Sequence, residues 1–216
     1  MPDDRDALLE AIGGGDDAGV RALVERDPSL ADARDDQGLS AVLVALYHRR
    51  PEARDALLAA GPELGVLEAA ALGRLDVLRA HLDADQDALG ARSPEGFTPL
   101  HLAAFFGGGA AVRMLLAAGA PPEADADNEA GVRPLHSAAA AGDHEAARAL
   151  LEAGADPDVR QQGGFTPLLA AAHADDAAMA RLLLEHGADP ALAADDGRDA
   201  AAMAGERVAL LLPRAG

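Results

Sequence analysis

The chain of 216 residues has no cysteine, no tryptophan and no lysine, and only one tyrosine and four phenylalanines. Without cysteine there is no disulfide, no cysteine-ligated zinc or iron–sulfur cluster and no thiol nucleophile. No apolar run approaches the ~18 residues of a membrane span. The opening MPDDRDALLEAIGGG is acidic where a signal peptide is basic, with no uninterrupted apolar stretch behind it. These two features lead us to expect a cytoplasmic protein that does not engage a membrane. Positive charge is also scarce: 18 Arg stand against 37 Asp and Glu, a formal charge of −19. Such a chain repels phosphate backbones and anionic lipid, which argues against nucleic-acid binding, and it steers a basic partner inward. The same charge keeps an alanine-rich surface in solution.

What is present is mostly small and apolar. Half of the residues are hydrophobic, and these are chiefly Ala and Leu. Small side chains do not fill a wide core, but they let helices approach closely. Both residues are strong helix formers. The expected class is all-α.

The chain repeats itself. GFTPLHLAAFFGGGAAVRMLLAAGA from Gly96, GVRPLHSAAAAGDHEAARALLEAGAD from Gly131 and GFTPLLAAAHADDAAMARLLLEHGAD from Gly164 align by eye. Leu100 recurs as Leu135 and Leu168, and Gly119 as Gly154 and Gly187, at intervals of 35 and 33 residues. Weaker copies run from Gly38 to Gly61 and from Leu64 to Leu82, and the start and end of the chain carry partial ones. Thr98-Pro99 and Thr166-Pro167 read as an N-cap followed by proline at the first helical position. About eight residues of helix follow, up to a turn glycine at Gly107 or Gly142. A second amphipathic helix then ends at Gly119, Gly154 or Gly187. One such pair cannot bury its apolar face, whereas stacked pairs can. The outermost copies face water on one side, consistent with the acidic Asp3, Asp4, Asp6, Asp16 and Asp17.

Thr98-Pro99-Leu100-His101, Arg133-Pro134-Leu135-His136 and Thr166-Pro167-Leu168-Leu169, with the closing Gly154-Ala155-Asp156-Pro157 and Gly187-Ala188-Asp189-Pro190, resemble the ankyrin repeat. The resemblance implies an α-solenoid of stacked helix-turn-helix units with short hairpin loops. It implies a single repeat domain over 1–216, divided into an N-terminal capping helix pair (1–37), degenerate repeats (38–66 and 67–95), repeats at 96–130, 131–163 and 164–196, and a shortened C-terminal cap (197–216) closed by Pro213. Arg133 stands where the capping Thr belongs, and Ser40-Ala41-Val42-Leu43 replaces the tetrapeptide. Those helix starts are expected to be less well capped, by ~1 kcal/mol each, and the N-terminal half to be the less regular.

No catalytic set assembles from the sequence. The resemblance assigns His101 and His136 to helix-start hydrogen bonding between neighbouring loops. His48, His81, His144, His173 and His186 share no metal-binding spacing. Asp125-Ala126-Asp127-Asn128-Glu129 starts like a calcium loop, but Ala130 and His136 stand where Gly and Glu are needed. Gly13–Gly15 and Gly107–Gly109 lack the Lys-Ser/Thr of a phosphate loop. We therefore expect no enzyme, no metal and no cofactor.

One pattern remains. In repeats of this kind the residue after the hairpin glycine and the last turn of the first helix line one concave face. The first row is Leu39, Phe97, Val132, Phe165 and Arg198. The second is Tyr47 with His48, Ala71 with Leu72, Phe105 with Phe106, Ala140 with Ala141, and His173 with Ala174. All five aromatics fall in these rows, and aromatics are enriched at interaction hot spots. The expected face holds Phe97, Phe105, Phe106, Phe165, Tyr47, Val132 and His173, rimmed by Glu95, Asp127, Glu129, Asp195 and Asp196. The expected function is a non-enzymatic protein-binding scaffold or adaptor, monomeric by default, for a partner with basic and apolar residues. Two alternatives are an acidic inhibitor or immunity-type regulator that masks a basic protein, and a self-associating structural module.

Overall fold

The structure is a computed structural model, and it describes residues 4–212. Asp3 and Pro213 lie outside the described residues. Among the described residues there are fourteen α-helices, one π-helical turn and no strand longer than an isolated bridge. They form two compact units, Met1–Glu68 and Ala69–Gly216.

The first unit contains α1 (Asp4–Gly14), α2 (Asp17–Arg26), α3 (Ala41–Tyr47) and α4 (Pro51–Ala59). Gly15, at φ +78°, makes the turn between α1 and α2, and the Asp16 carboxylate caps α2 by accepting from Gly19 N–H at 2.9 Å. Leu8, Ile12, Val20, Leu43 and Leu57 are fully buried and form its core. The expected weak start of α3 is not found. Ser40 has extended backbone, and its Oγ accepts from Leu43 N–H at 3.3 Å. A serine hydroxyl caps as threonine does, so loss of the tetrapeptide cost this helix little.

The second unit holds α6 (Leu75–Ala84), α7 (Pro99–Leu102), α8 (Gly109–Ala117), α9 (Pro134–Ala141), α10 (His144–Glu152), α11 (Pro167–His173), α12 (Ala177–Glu185), α13 (Ala200–Met203) and α14 (Glu206–Ala209). The short α5 (Val66–Ala71) crosses the division between the units. Within the second unit α9 packs against α11 and α11 against α13, while α10 lies between α8 and α12. First helices therefore form one layer and second helices another. This explains the composition. Pro134 to Ala139 are all buried, because α9 has neighbours on most of its sides, and Ser137, Ala138 and Ala139 let them approach closely. In α10 the face with Ala146, Ala147, Leu150 and Leu151 is buried, while Glu145, Arg148 and Glu152 face water. Each buried leucine contributes about 1.5–3 kcal/mol.

Two features depart from the expected regularity. α7 runs into a π-turn, Ala103–Gly107, and the left-handed residue that ends it is Gly108 (φ +84°), not Gly107. From Pro99 to Gly108 is nine residues, whereas Pro134 to Gly142 and Pro167 to Asp175 are eight. The extra residue is absorbed by widening the last turn. So the π-turn, the only one among the described residues, falls in the half expected to be regular. At the other end of the unit, Asp175 adopts φ +51° where the other pairs of this unit have glycine and the α3–α4 pair has Arg49. Its carboxylate accepts from Arg207 and Val208 N–H at 3.0 and 2.9 Å and so caps α14 from the neighbouring pair. These bonds, that from Val208 first, hold Asp175 below the usual carboxylate range.

Candidate functional site

In the second unit the hairpin tips are joined to one another. The tips close through Ser93 N–H to Phe97 O, Ala126 N–H to Val132 O, Gln161 N–H to Phe165 O and Ala194 N–H to Arg198 O. Consecutive tips are linked by Asp127 N–H to Gly96 O (3.1 Å), Gln162 N–H to Ala130 O (2.8 Å) and Asp195 N–H to Gly163 O (2.8 Å). Each tip thus satisfies a backbone group of its neighbour, and the loops hold a common register without a sheet.

Two buried histidines fasten this ladder to the helices. His101 Nε2 lies 3.0 Å from Val132 O, and its Nδ1 accepts from Thr98 N–H at 3.3 Å and from Thr98 Oγ at 2.8 Å. His136 Nε2 reaches Val159 O and Phe165 O at 3.1 and 3.2 Å, and its Nδ1 accepts from Arg133 N–H at 3.1 Å. The imidazole thus holds Arg133 N–H at the α9 start, as His101 holds Thr98 N–H, while the hydroxyl cap that Thr166 gives α11 has no counterpart in the Arg133 side chain. With carbonyls at Nε2 and N–H donors at Nδ1, both rings are the neutral Nε2–H tautomer. Burial pushes each imidazole down to about 4, against the partial support of the carbonyl bonds.

A second fastener escaped the sequence reading. Arg34, Arg92 and Arg160 each stand four residues before a tip glycine. Arg92 Nη1 donates to Gly96 O (2.9 Å) and to Asp125 O on the next loop (2.8 Å). Arg160 donates to Ala193 O at 3.0 Å. In the first unit Arg34 donates to Gly38 O at 3.0 Å and lies 3.5 Å from the carboxylate of buried Glu68. The shared register was the available signal.

The candidate residues take different places. Phe97, Phe105, Phe106, Phe165, Tyr47 and Val132 are half-buried, and His173 is exposed. Phe97 leans on the His101 ring at 5.6 Å between centroids. Val132 and Phe165 give their carbonyls to the histidine ladder. Leu39, in the same row, is buried in the first unit, where Tyr47 also lies. Phe105 and Phe106 are the pair the structure brings together. They meet edge to face at 4.7 Å and 71° on the π-turn. At the matching positions Ala140, Ala141, His173 and Ala174 are exposed. Of the acidic rim, Asp127, Glu129, Asp195 and Asp196 are exposed. Asp196 pairs with Arg198 at 2.7 Å, and Asp195 lies 3.5 Å from Arg160. Glu95 is half-buried, and its Oε2 is shielded with no hydrogen-bond partner.

Neither of two surface clefts forms a reaction centre. One, of about 440 Å³, lies between α2 and α4 and is lined by Val24, Pro28, Ala56, Ala59 and flanking charges, with no hydroxyl or imidazole. The other, of about 180 Å³, holds Thr98, whose hydroxyl is already bound to His101. Among the described residues no three His, Asp or Glu converge as metal ligands, and no helix is long and apolar enough to cross a membrane. No curated protein matches the chain. Residues 66–161 and 135–214, over two thirds of the sequence together, match the family model described as ankyrin repeats, in three copies. With the laddered tips, layered helix pairs and buried imidazoles beside it, that match places the chain in the ankyrin-repeat family.

Proposed function

We propose that the chain is a non-enzymatic adaptor that docks a protein segment on the face shared by its hairpin tips and first-helix ends, with Phe105 and Phe106 at the centre. Ankyrin repeats are in general protein-interaction modules. The observation that carries the assignment to this face is the Phe105–Phe106 pair. Two large rings in edge-to-face contact lie outside the fully buried core, on a row otherwise made of Ala140, Ala141, His173 and Ala174. Phe97, Phe165 and Val132, in the same unit, extend the apolar surface. Glu95, Asp127, Glu129, Asp195 and Asp196 supply the acidic rim, so the partner segment is apolar with flanking Arg or Lys.

The net charge of −19 favours a second reading, in which the protein masks a basic partner as an inhibitor. Panning a phage-displayed random peptide library on the protein tests both. The adaptor reading expects peptides with an apolar centre and basic flanks, whose affinity falls less than about tenfold between 50 and 500 mM salt. Peptides that are basic throughout and released by salt favour the inhibitor reading. If no peptide is enriched, the docking face is wrong.

A further inference from the structure

The π-turn that carries the two phenylalanines is held from outside its own helix. A Cβ on Gly107 would collide with Ala70 O, and a Cβ on Gly73 would sit 2.6 Å from Gly107 O. The ends of α5 and of the π-turn thus meet backbone to backbone. Only glycine at both positions permits the approach, and at Gly73 the φ of +63° requires it as well.

The last turn here also differs from those of the neighbouring pairs. At the ends of α9 and α11 the positive-φ residues are Gly142 and Asp175, and the residue after each closes the helix, Asp143 N–H to Ala138 O and Asp176 N–H to Ala171 O. At the π-turn the closing bond has the same register, Gly108 N–H to Ala103 O at 2.9 Å, but Gly108 itself carries the positive φ and Gly107 stays within the turn. The backbone under Phe105 and Phe106 is therefore wound more widely than the α-helical turn under Ala140 and Ala141.

We propose that the Gly73–Gly107 contact and the one-residue π-turn are the positioning and specificity element of the docking face. They hold the Phe105 and Phe106 rings edge to face, as a fixed wedge for an aliphatic side chain of the basic, apolar peptide. This rests on the docking reading above. Gly73 and Gly107 are positioning residues, and the rings make the contact. Fixing the rings before binding spares the ordering cost of two side chains.

Deleting Gly107 restores the eight-residue spacing, because Gly108 then stands where Gly142 does. The probe is the set of peptides selected on the wild-type protein. The deletion variant is expected to remain helical, to bind these peptides at least tenfold more weakly and, when panned itself, to lose the preference for an aliphatic residue at the central position. Wild-type affinity and preference in the folded deletion variant overturn the proposal. A second measurement needs no variant. In the free wild-type protein, NMR should show cross-relaxation between the Phe105 and Phe106 rings and a protected Gly108 amide. Freely rotating, separated rings or an unprotected amide overturn it too. The Phe105→Ala/Phe106→Ala double variant separates the two readings. If it binds as wild type, the docking face fails. If it loses binding while the deletion retains it, only the positioning inference fails.

Discussion

The two units build similar helix pairs and fasten their hairpins differently. In the second unit, imidazoles reach from the α7 and α9 starts to the next loop, and Arg92 and Arg160 tie tips to neighbouring carbonyls. The first unit has Leu43 where the second has His101 and His136. Its hairpin keeps the backbone closure, Asp35 N–H to Leu39 O at 2.9 Å, and the arginine, Arg34 to Gly38 O, but Arg34 turns to the buried carboxylate of Glu68 where Arg92 reaches a carbonyl of the next loop. The lesson is that the hairpin form is set by backbone closure and a cap of any suitable chemistry. The signature histidine adds a pH-sensitive fastener to one unit only.

Acid should expose the largest difference. His101 and His136 have folded values near 4, below the usual 6.5. As pH falls below 6.5, the unfolded chain takes up protons that the folded rings refuse. Stability is therefore lost progressively between about pH 6.5 and 4, by about 3 kcal/mol for each histidine. Hydrogen exchange followed by mass spectrometry at pH 7 and 4.5 should show protection falling in α7–α11 well before α1–α4, whose only histidine, His48, is exposed. Equal losses in both units would remove the histidines from the explanation.

The arginines give the next largest contrast. Arg34→Ala withdraws a cation from a buried carboxylate and should cost about 1–3 kcal/mol in the first unit. Arg92→Ala frees only carbonyls that can turn to water and should cost under about 1 kcal/mol. Urea denaturation of the two variants checks the order. The smallest effect is at the caps. Ser40→Ala and Thr166→Ala each remove one hydroxyl from a helix start and should each cost about 1 kcal/mol by the same measurement. A loss at Thr166 alone would restore the expectation that the first unit is poorly capped.

Much of the fold was legible because its signals are local. Proline at positions 99, 134 and 167 marks helix starts, and Gly119, Gly154 and Gly187 mark helix ends with φ between +93 and +101°. Two features were hidden, each for a physical reason. The π-turn left no trace in the period, because the run from Gly108 to Gly119 is one residue shorter than that from Gly142 to Gly154 and cancels the insertion. Glu68 reads as a surface residue on a short helix, and its partner Arg34 stands 34 residues away. At the candidate face the aromatic rows were visible, but which of them meet was not. Ring contact depends on the turn geometry that the period concealed.

The central claim is that Phe105 and Phe106 serve a partner more than they serve the fold. The most direct test measures both in one variant. Calorimetric titration of Phe105→Ala/Phe106→Ala with a peptide selected on the wild type should show affinity reduced at least tenfold, while Tm moves by no more than a few degrees. A variant that loses much of its thermal stability but binds the peptide as tightly as wild type would show that the two rings belong to the core, and would contradict the account.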